Sequence, residues 1–381
     1  MRMNRRDFIR NSVLAGAGAA VGGCVGGRWG GTAPAIAGDF AWGCLLHVGT
    51  NMWGDWTFDG RKNPASPEAE RKMFPDQKLT AKGVLPSVTR GYLKAELPVF
   101  REYVELMRRE GLNLVMIDVG ESLAFPSHPE LGVDGSWTPE RYREELARVR
   151  ALGLEPVPKL NFSAGHDQWL KRYHYMTSSS RYYEVVADVI RDTCEVFGWP
   201  RYFHLGFDEE IFAAVKGRDC QVMRQGDLWW HDLFYAVNEV ERHGARAMIW
   251  SDKICGGREE FLKRMSKGVL QMPWYYGKDF SEKNLKWDAS FEKSQKWDIQ
   301  RNLAASILEL DRAGFDMMPC TSNWESPEAA EAMLSFCKAR VDPSHIRGFM
   351  TAPWADCYTV EKPKCIDGIV RFAAAKRKHY S

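Results

Sequence analysis

Short apolar runs alternate along this chain with longer segments in which apolar residues recur every three or four positions. Leu97, Phe100, Val104 and Met107 form one such stripe, which ends at Gly111. This spacing is typical of an amphipathic helix that packs one face on a core. The run that follows at once, residues 112–118, is uniformly apolar until its last residue and reads as a buried strand. The chain therefore alternates strands with helices.

The alternation repeats eight times. The predicted strands span residues 40–48, 112–118, 154–162, 202–207, 245–250, 269–274, 315–320 and 346–353. Strands separated by helices imply a parallel sheet, and eight such units over about 340 residues imply a closed barrel. An open, doubly wound sheet is the alternative, but no glycine-rich phosphate loop follows the first strand. We predict an α/β fold, a single-domain (β/α)8 TIM barrel over residues 39–381.

Residues 1–38 do not fit this pattern. Arg5 and Arg6 precede a weakly apolar run at 13–25, which consists largely of Ala and Gly and is too short to span a membrane. The segment resembles a twin-arginine export signal, which implies a periplasmic or extracellular protein. Cleavage after the small residues at 35–37 would release a soluble protein. A lipoprotein box at 21–24, with Cys24 as the lipidated residue, is the alternative; we favour soluble release.

Charge and cysteine content exclude several classes of function. A net charge of +2 provides no broad attraction to nucleic acid or to an anionic membrane. The eight cysteines beyond Cys24 form neither a CxxC pair nor a zinc-like spacing, so we predict buried free thiols. We predict no metal and no cofactor.

The fourth predicted strand ends in three consecutive acids. Alternation along residues 203–208 places Phe207 on an apolar face and Asp208 on a polar face, and Glu209 follows where the strand becomes a loop. Carboxylates at the carboxyl end of a barrel strand lie where barrel enzymes work. The alternative is that Asp208, Glu209 and Glu210 only cap the next helix.

Acids and aromatic side chains also follow the other predicted strands. Those at the carboxyl ends are Asp118, Glu121, Asn161, His166, Asp208, Glu209, Trp250, Asp252, Trp274, Tyr275, Asn323, Trp324, Trp354 and Asp356. A tryptophan at a strand end is often only packing, and a single histidine is often a loop residue. Their convergence on one rim suits a carbohydrate, because indoles stack on sugar C–H faces, hydroxyls need acceptors and glycoside cleavage needs a protonated acid.

Three motifs resemble the family 20 glycoside hydrolases, the β-N-acetylhexosaminidases. Residues 204–209, His-Leu-Gly-Phe-Asp-Glu, resemble the family's His-x-Gly-Gly-Asp-Glu motif. Residues 154–166 are similar to its third-strand segment, which ends in Pro-Gly-His, and Trp354-Ala355-Asp356 resembles its last-strand tryptophan and acid. The order of these motifs agrees from about residue 112 to residue 358.

The resemblance implies a role for each matching residue. Glu209 would be the general acid, and Asp208 would orient the 2-acetamido group, whose carbonyl oxygen attacks C1 in place of an enzyme nucleophile. Tyr275 would bond the acetamido oxygen. The predicted substrate-binding residues are His166, Asn161, Asp118, Trp250, Asp252, Trp274, Tyr275, Trp324, Trp354 and Asp356.

The chain also departs from the family pattern. Phe207 replaces the second glycine of the motif, and Lys159 and Asn161 stand where the family has acids. Residues 42–50 offer no arginine like the one with which the family holds the terminal sugar. Two alternatives therefore stay open: a glycosidase of this fold with a different sugar and mechanism, and a barrel that binds glycan without cleaving it.

Overall fold

The computed structural model describes residues 40–54, 63–216, 218 and 220–380. Eight strands lie in one sheet in the order β6-β5-β4-β3-β2-β1-β8-β7, and all the paired strands are parallel. The strands are β1 Ala41–His47, β2 Leu114–Asp118, β3 Glu155–Lys159, β4 Tyr202–His204, β5 Arg246–Trp250, β6 Leu270–Met272, β7 Cys320–Thr321 and β8 Gly348–Thr351.

The sheet closes between β6 and β7 through single bridges. Gln271 pairs with Met317, and Trp274 pairs with Cys320. The Gln271 amide donates to Asp316 O at 3.0 Å, and the Met318 amide donates to Gln271 O at 2.9 Å. The predicted (β/α)8 barrel is confirmed.

Helices surround the barrel, and they lie between the strands as the predicted alternation requires. Pro139 opens one of them, and the Thr138 hydroxyl caps it by accepting the Arg141 amide at 3.2 Å. The α-helices are Pro67–Met73, Leu97–Arg109, Pro139–Ala151, Ser180–Val196, Phe212–Val215, Asp227–Arg242, Arg258–Arg264, Leu303–Arg312, Ala329–Arg340 and Lys362–Tyr380.

Local structure differs from the prediction in three places. β4 ends at His204 because Gly206 and Phe207 have φ of 78° and 65°, which takes the chain out of the strand conformation. The segment between the first predicted strand and the stripe that starts at Leu97, where no helix is predicted, contains the helix Pro67–Met73, whose first turn is capped by the Ser66 hydroxyl. β7 is only two residues long, since upstream of it Met317 pairs with Gln271 and Ile346 through isolated bridges and not through a continuous ladder.

The N-terminal predictions fall outside the described residues. The export signal at 1–38, the lipidation site at Cys24 and the cleavage site at 35–37 all lie there. Within the described residues, no helix combines the length and the apolar character needed to cross a bilayer. The cysteines described are free thiols; all are buried, as predicted, except Cys220, which is exposed.

Candidate active site

A cavity of about 330 Å³ opens at the carboxyl ends of the strands. It brings together eight of the predicted site residues: Asp208, Glu209, His166, Trp250, Trp274, Trp324, Trp354 and Asp356. These residues lie at the end of β5 or after β3, β4, β6, β7 and β8, so they are far apart in sequence and meet only because parallel strands all end at one rim.

The turn after β4 directs the two acids into this cavity. Gly206 lies so close to Asn161 that a Cβ atom at this position would approach Asn161 Oδ1 to 2.0 Å. Phe207 and Glu209 have φ of 65° and 54°, a conformation that costs a non-glycine residue of order 1–3 kcal/mol and that tends to occur at functional sites. The chain therefore leaves the strand conformation where the acids begin.

Asp208 is held as a carboxylate. Its Oδ1 accepts from Asn161 Nδ2 at 3.0 Å and from the Ser163 hydroxyl at 2.7 Å, and it lies 3.4 Å from His166 Nδ1. Burial acts to raise the pKa of Asp208, but the positive charges of His166 and Lys159 and these hydrogen bonds outweigh it. The pKa of Asp208 therefore lies well below its ordinary value.

The pKa of Glu209 is shifted in the opposite direction, toward the protonated form. Burial raises the pKa of Glu209 to about 7, and the neighbouring Asp208 and Asp252 charges act in the same direction. Its carboxyl group accepts from Gln300 Nε2 at 3.2 Å and lies 3.6 Å from His166 Nε2. Two adjacent acids thus carry different charges, as an acid and an electrostatic partner need to do.

Helix capping does not explain the acids. The helix that follows, Phe212–Val215, has no side-chain cap at Ile211. Glu210 instead accepts the Ala164 amide at 2.7 Å and forms a buried ion pair with Arg224. The capping alternative is therefore wrong for this turn.

Aromatic rings form the walls of the cavity. The indoles of Trp250 and Trp354 have centroids 6.1 Å apart, and Trp53 meets Trp354 edge-on at 6.1 Å. Trp274 stacks on Tyr276 at 4.9 Å with an interplanar angle of 29°. Flat apolar faces of this kind suit the C–H face of a sugar ring.

The structure places Tyr276, and not the predicted Tyr275, in the cavity. The Tyr275 hydroxyl donates to Asp279 O at 3.3 Å and accepts from Asn284 at 3.0 Å, outside the cavity. β6 ends at Met272, so strand alternation no longer decides which tyrosine faces inward.

Three other predicted binding residues do not line the cavity but contact residues next to it. Asp118 pairs with His47 Nδ1 at 2.7 Å and with Lys159 inside the barrel. Asn161 holds Asp208, and Asp252 accepts the Glu209 amide at 2.9 Å. None of the three lines the cavity, so the structure gives them supporting contacts instead of the predicted contact with substrate.

A cluster of charges around Arg90, which the sequence did not predict, also borders the cavity. Arg90 lines the cavity and donates to both carboxylate oxygens of Glu70, at 2.6 and 2.7 Å. Lys94 bridges Asp356 at 2.6 Å and Glu361 at 2.9 Å. Residues 49–96 have no clear periodicity, so the sequence carried no signal that this segment returns to the rim. The Arg90 side chain is buried, and its Nε, Nη1 and Nη2 atoms donate to Glu70 and to Val88 O, so Arg90 borders the cavity as part of a buried ion pair.

The acid pair with its histidine also has the composition of a metal site. One ligand atom each from His166, Asp208 and Glu209 lies within 4.8 Å of the others. Imidazole with two carboxylates is a set that zinc or a similar divalent ion accepts. A protonated His166 could neutralise the same carboxylates without a metal. Burial acts to lower the pKa of His166, but the Asp208 charge outweighs burial, so this pKa is raised. The absence of a metal stays a prediction.

Comparison with solved structures identifies the fold. The chain matches a β-N-acetylhexosaminidase from Bacteroides fragilis with a TM-score of 0.52 at 12% identity, covering 87% of this chain and 65% of the other. A β-hexosaminidase from Streptomyces plicatus in complex with Thio-NAglucal matches with a TM-score of 0.50 at 14% identity, over 72% of this chain and 60% of the other. A chitobiase from Flavobacterium johnsoniae matches with a TM-score of 0.50 at 13% identity, over 75% and 48%.

Sequence comparison adds nothing to this result, since no family model and no curated protein matches the chain. The chain spans less than two thirds of the length of each of these three structures. At such low identity the likeness concerns the fold. The described part of this chain has the barrel fold of the family 20 β-N-acetylhexosaminidases.

Proposed function

We propose that this protein is a glycoside hydrolase that cleaves a β-linked N-acetylhexosamine or a related glycan by substrate-assisted, retaining catalysis. One observation carries the proposal: a single cavity combines an ionised Asp208, a Glu209 whose pKa is raised to about 7, and indole walls. A glycosidase needs a carboxylic acid that is still protonated near neutral pH.

The chemistry follows from these two states. Glu209 gives its proton to the glycosidic oxygen as the C1–O bond breaks, and the acetamido carbonyl oxygen of the substrate bonds to C1. The oxazolinium ion that forms is positive, and the Asp208 carboxylate stabilises it and accepts the acetamido N–H. Water then attacks C1, Glu209 takes a proton from that water, and the bond between C1 and the acetamido oxygen breaks. Glu209 is protonated again at the end of the cycle.

Other lining residues can contact the faces, the hydroxyl groups and the acetamido group of the sugar. Trp250 and Trp354 offer stacking faces, and Asp356 provides an acceptor for hydroxyl groups. Tyr276, which lies in the cavity, takes over the proposed contact of Tyr275 with the acetamido group. These contacts would hold one pyranose ring with its reacting bond toward Glu209.

Aryl glycosides test the proposal directly. We expect release of the aryl group from β-N-acetylglucosaminide or β-N-acetylgalactosaminide. Turnover of only another sugar in a panel of aryl glycosides would favour a different mechanism at the same site. Glycan binding that is measurable by calorimetry without any turnover, and unchanged by Glu209→Gln, would identify a non-catalytic barrel.

We also propose that the protein acts outside the cytoplasm. The paired arginines at residues 5 and 6 and the weakly apolar run after them support export. Fractionation of cells that express the full chain, with Arg5→Lys and Arg6→Lys together as the control, tests this proposal. Equal cytoplasmic retention of both forms would contradict it.

The pH profile should show one limb near neutrality. Glu209 must be protonated to act, and its pKa is about 7, so kcat/KM is expected to fall as the pH rises through about 7. Burial also raises the pKa of the neighbouring Asp252 to about 7, so its ionisation falls within the same limb. Asp208 stays ionised far into the acid range and adds no acid limb above about pH 4. His166→Gln removes a positive charge that lowers the Glu209 pKa, so the limb should move to higher pH. A profile that is flat to pH 9 would contradict the assignment of Glu209.

Adjacent tyrosines provide a matched pair of variants. Tyr276→Phe is expected to lower kcat/KM about tenfold, because it removes a hydroxyl group from the cavity, where one hydrogen bond to a substrate contributes about 1 kcal/mol or more. Tyr275→Phe should change kcat/KM less than about twofold, since its hydroxyl bonds Asp279 and Asn284 outside the cavity. Initial rates at several substrate concentrations check both. Equal effects would mean that the tyrosine assignment is wrong.

A further inference from the structure

Asp252 lies immediately behind the proposed acid. It is the first residue of the turn Asp252–Gly256, two residues after the end of β5. It does not line the sugar cavity but borders a second cavity of about 80 Å³. Glu209 lines both cavities. Asp252 therefore contacts Glu209 without lining the cavity proposed to hold the sugar.

The two carboxylate oxygens of Asp252 accept from two different parts of the site. Oδ2 accepts the Glu209 amide at 2.9 Å. Oδ1 accepts the Trp274 indole N–H at 3.2 Å. Both partners line the sugar cavity, so one side chain connects the proposed acid with an aromatic wall.

The main chain of Glu209 depends on such support. Its φ of 54° is unusual for a residue with a side chain, and such conformations persist only where surrounding contacts hold them. The hydrogen bond from the Glu209 amide to Asp252 is one of those contacts. The hydrogen bond that the Ile211 amide donates to Glu209 O, at 2.7 Å, is another. A shift of this turn would move the carboxyl group, and a misplacement of about 1 Å can cost about 100-fold in rate.

We propose that Asp252 is a positioning residue that sets the acid Glu209 and the sugar wall Trp274 at a fixed distance from each other through its two carboxylate oxygens. The inference rests on the proposed function, which it deepens. It replaces the contact with substrate that the sequence predicted for Asp252. Acid placement and sugar binding become coupled through this one side chain.

Asparagine at position 252 provides a specific test. The Glu209 amide and the Trp274 indole are both donors, and asparagine has one acceptor oxygen and one donor NH2 group. Whichever way the amide is turned, one bond is lost and two donors face each other. In a Trp274→Phe background the indole donor is gone, and the asparagine oxygen can turn to Glu209 without conflict.

Four proteins therefore form a cycle: wild type, Asp252→Asn, Trp274→Phe and the double variant. We expect Asp252→Asn to lower kcat about 30-fold in the wild-type background but less than about threefold in the Trp274→Phe background. Trp274→Phe alone should mainly raise KM. Trp324→Phe is the matched control, because Trp324 also lines the cavity while the indole that donates to Asp252 is that of Trp274, and the full 30-fold loss should persist in that background. An equal loss in all three backgrounds would overturn the proposal.

Crystal structures of the same proteins decide the inference independently of turnover. The Glu209 carboxyl group is expected to move by about 1 Å in Asp252→Asn and to return in the double variant. An unmoved Glu209 in Asp252→Asn overturns the inference even if the protein is an active glycosidase. If the wild type cleaves no glycoside, the proposed function fails, while the predicted movement and its reversal would still establish Asp252 as the link between Glu209 and Trp274.

Discussion

Glu209→Gln is expected to lower kcat about 1,000-fold for an N-acetylhexosaminide whose leaving group needs a proton. Glutamine has nearly the same size, and its side-chain oxygen can still accept from Gln300, so the fold should be kept. The variant cannot donate an acidic proton at any pH. Single-turnover and steady-state rates with a methylumbelliferyl or disaccharide substrate would measure the loss.

Two controls separate this role from a general effect of the substitution. With a dinitrophenyl leaving group, which departs without a proton, the loss should shrink to about tenfold. Glu328→Gln makes the same change at an exposed surface site and should leave kcat within about twofold of wild type. An equal loss for both leaving groups would remove Glu209 from its role as general acid.

Asp208→Asn is expected to lower kcat/KM about 100-fold for N-acetylhexosaminides. The asparagine oxygen can still accept from Asn161 and Ser163, but the variant carries no negative charge opposite the oxazolinium ion. Its NH2 group also faces the acetamido N–H, and two donors repel each other. Thermal unfolding beside the kinetics would show whether a loss of stability contributes.

Substrate variation tests whether the acetamido group is the nucleophile. Fluorine on the acetamido methyl group withdraws electrons from the carbonyl oxygen, so kcat should fall with each added fluorine in the wild type. Asp76→Asn makes the same change as Asp208→Asn at an exposed position. It is therefore the matched control for that variant, and its kcat/KM should equal that of the wild type. A kcat that does not respond to fluorine would favour an enzyme nucleophile and a different mechanism.

The barrel could be predicted because its signals are local. Uniformly apolar runs and stripes such as that from Leu97 to Met107 report burial within one element, and eight alternations leave few topologies. The acids after β4 and the aromatics after the other strands could be placed on one rim for the same reason. Eight of the predicted site residues do line one cavity, while their roles remain predictions.

What failed were assignments that depend on side-chain direction at the last residue of a strand, as for Asp118, or in the loop after a strand. Tyr275 and Tyr276 are adjacent, and the sequence does not indicate which of them faces the cavity. Asp118 points into the barrel, where it forms an ion pair with Lys159. Asp252 also lies at the rim but accepts from Glu209 and Trp274 instead of facing the sugar cavity. Beyond the ladder, φ and ψ are set by the partners that the loop finds, and period-two alternation no longer applies.

The sequence by itself determined the strand and helix order, the acid pair and the aromatic rim, because each follows from residues close together in the chain. Only the tertiary structure decided that Arg90 returns to the cavity, that Tyr276 faces it and that Asp252 supports Glu209. These facts depend on contacts between segments far apart in sequence. The tertiary structure also decided that the pKa of Asp208 is lowered while that of Glu209 is raised. Burial and neighbouring charges set each pKa, and both arise only on folding.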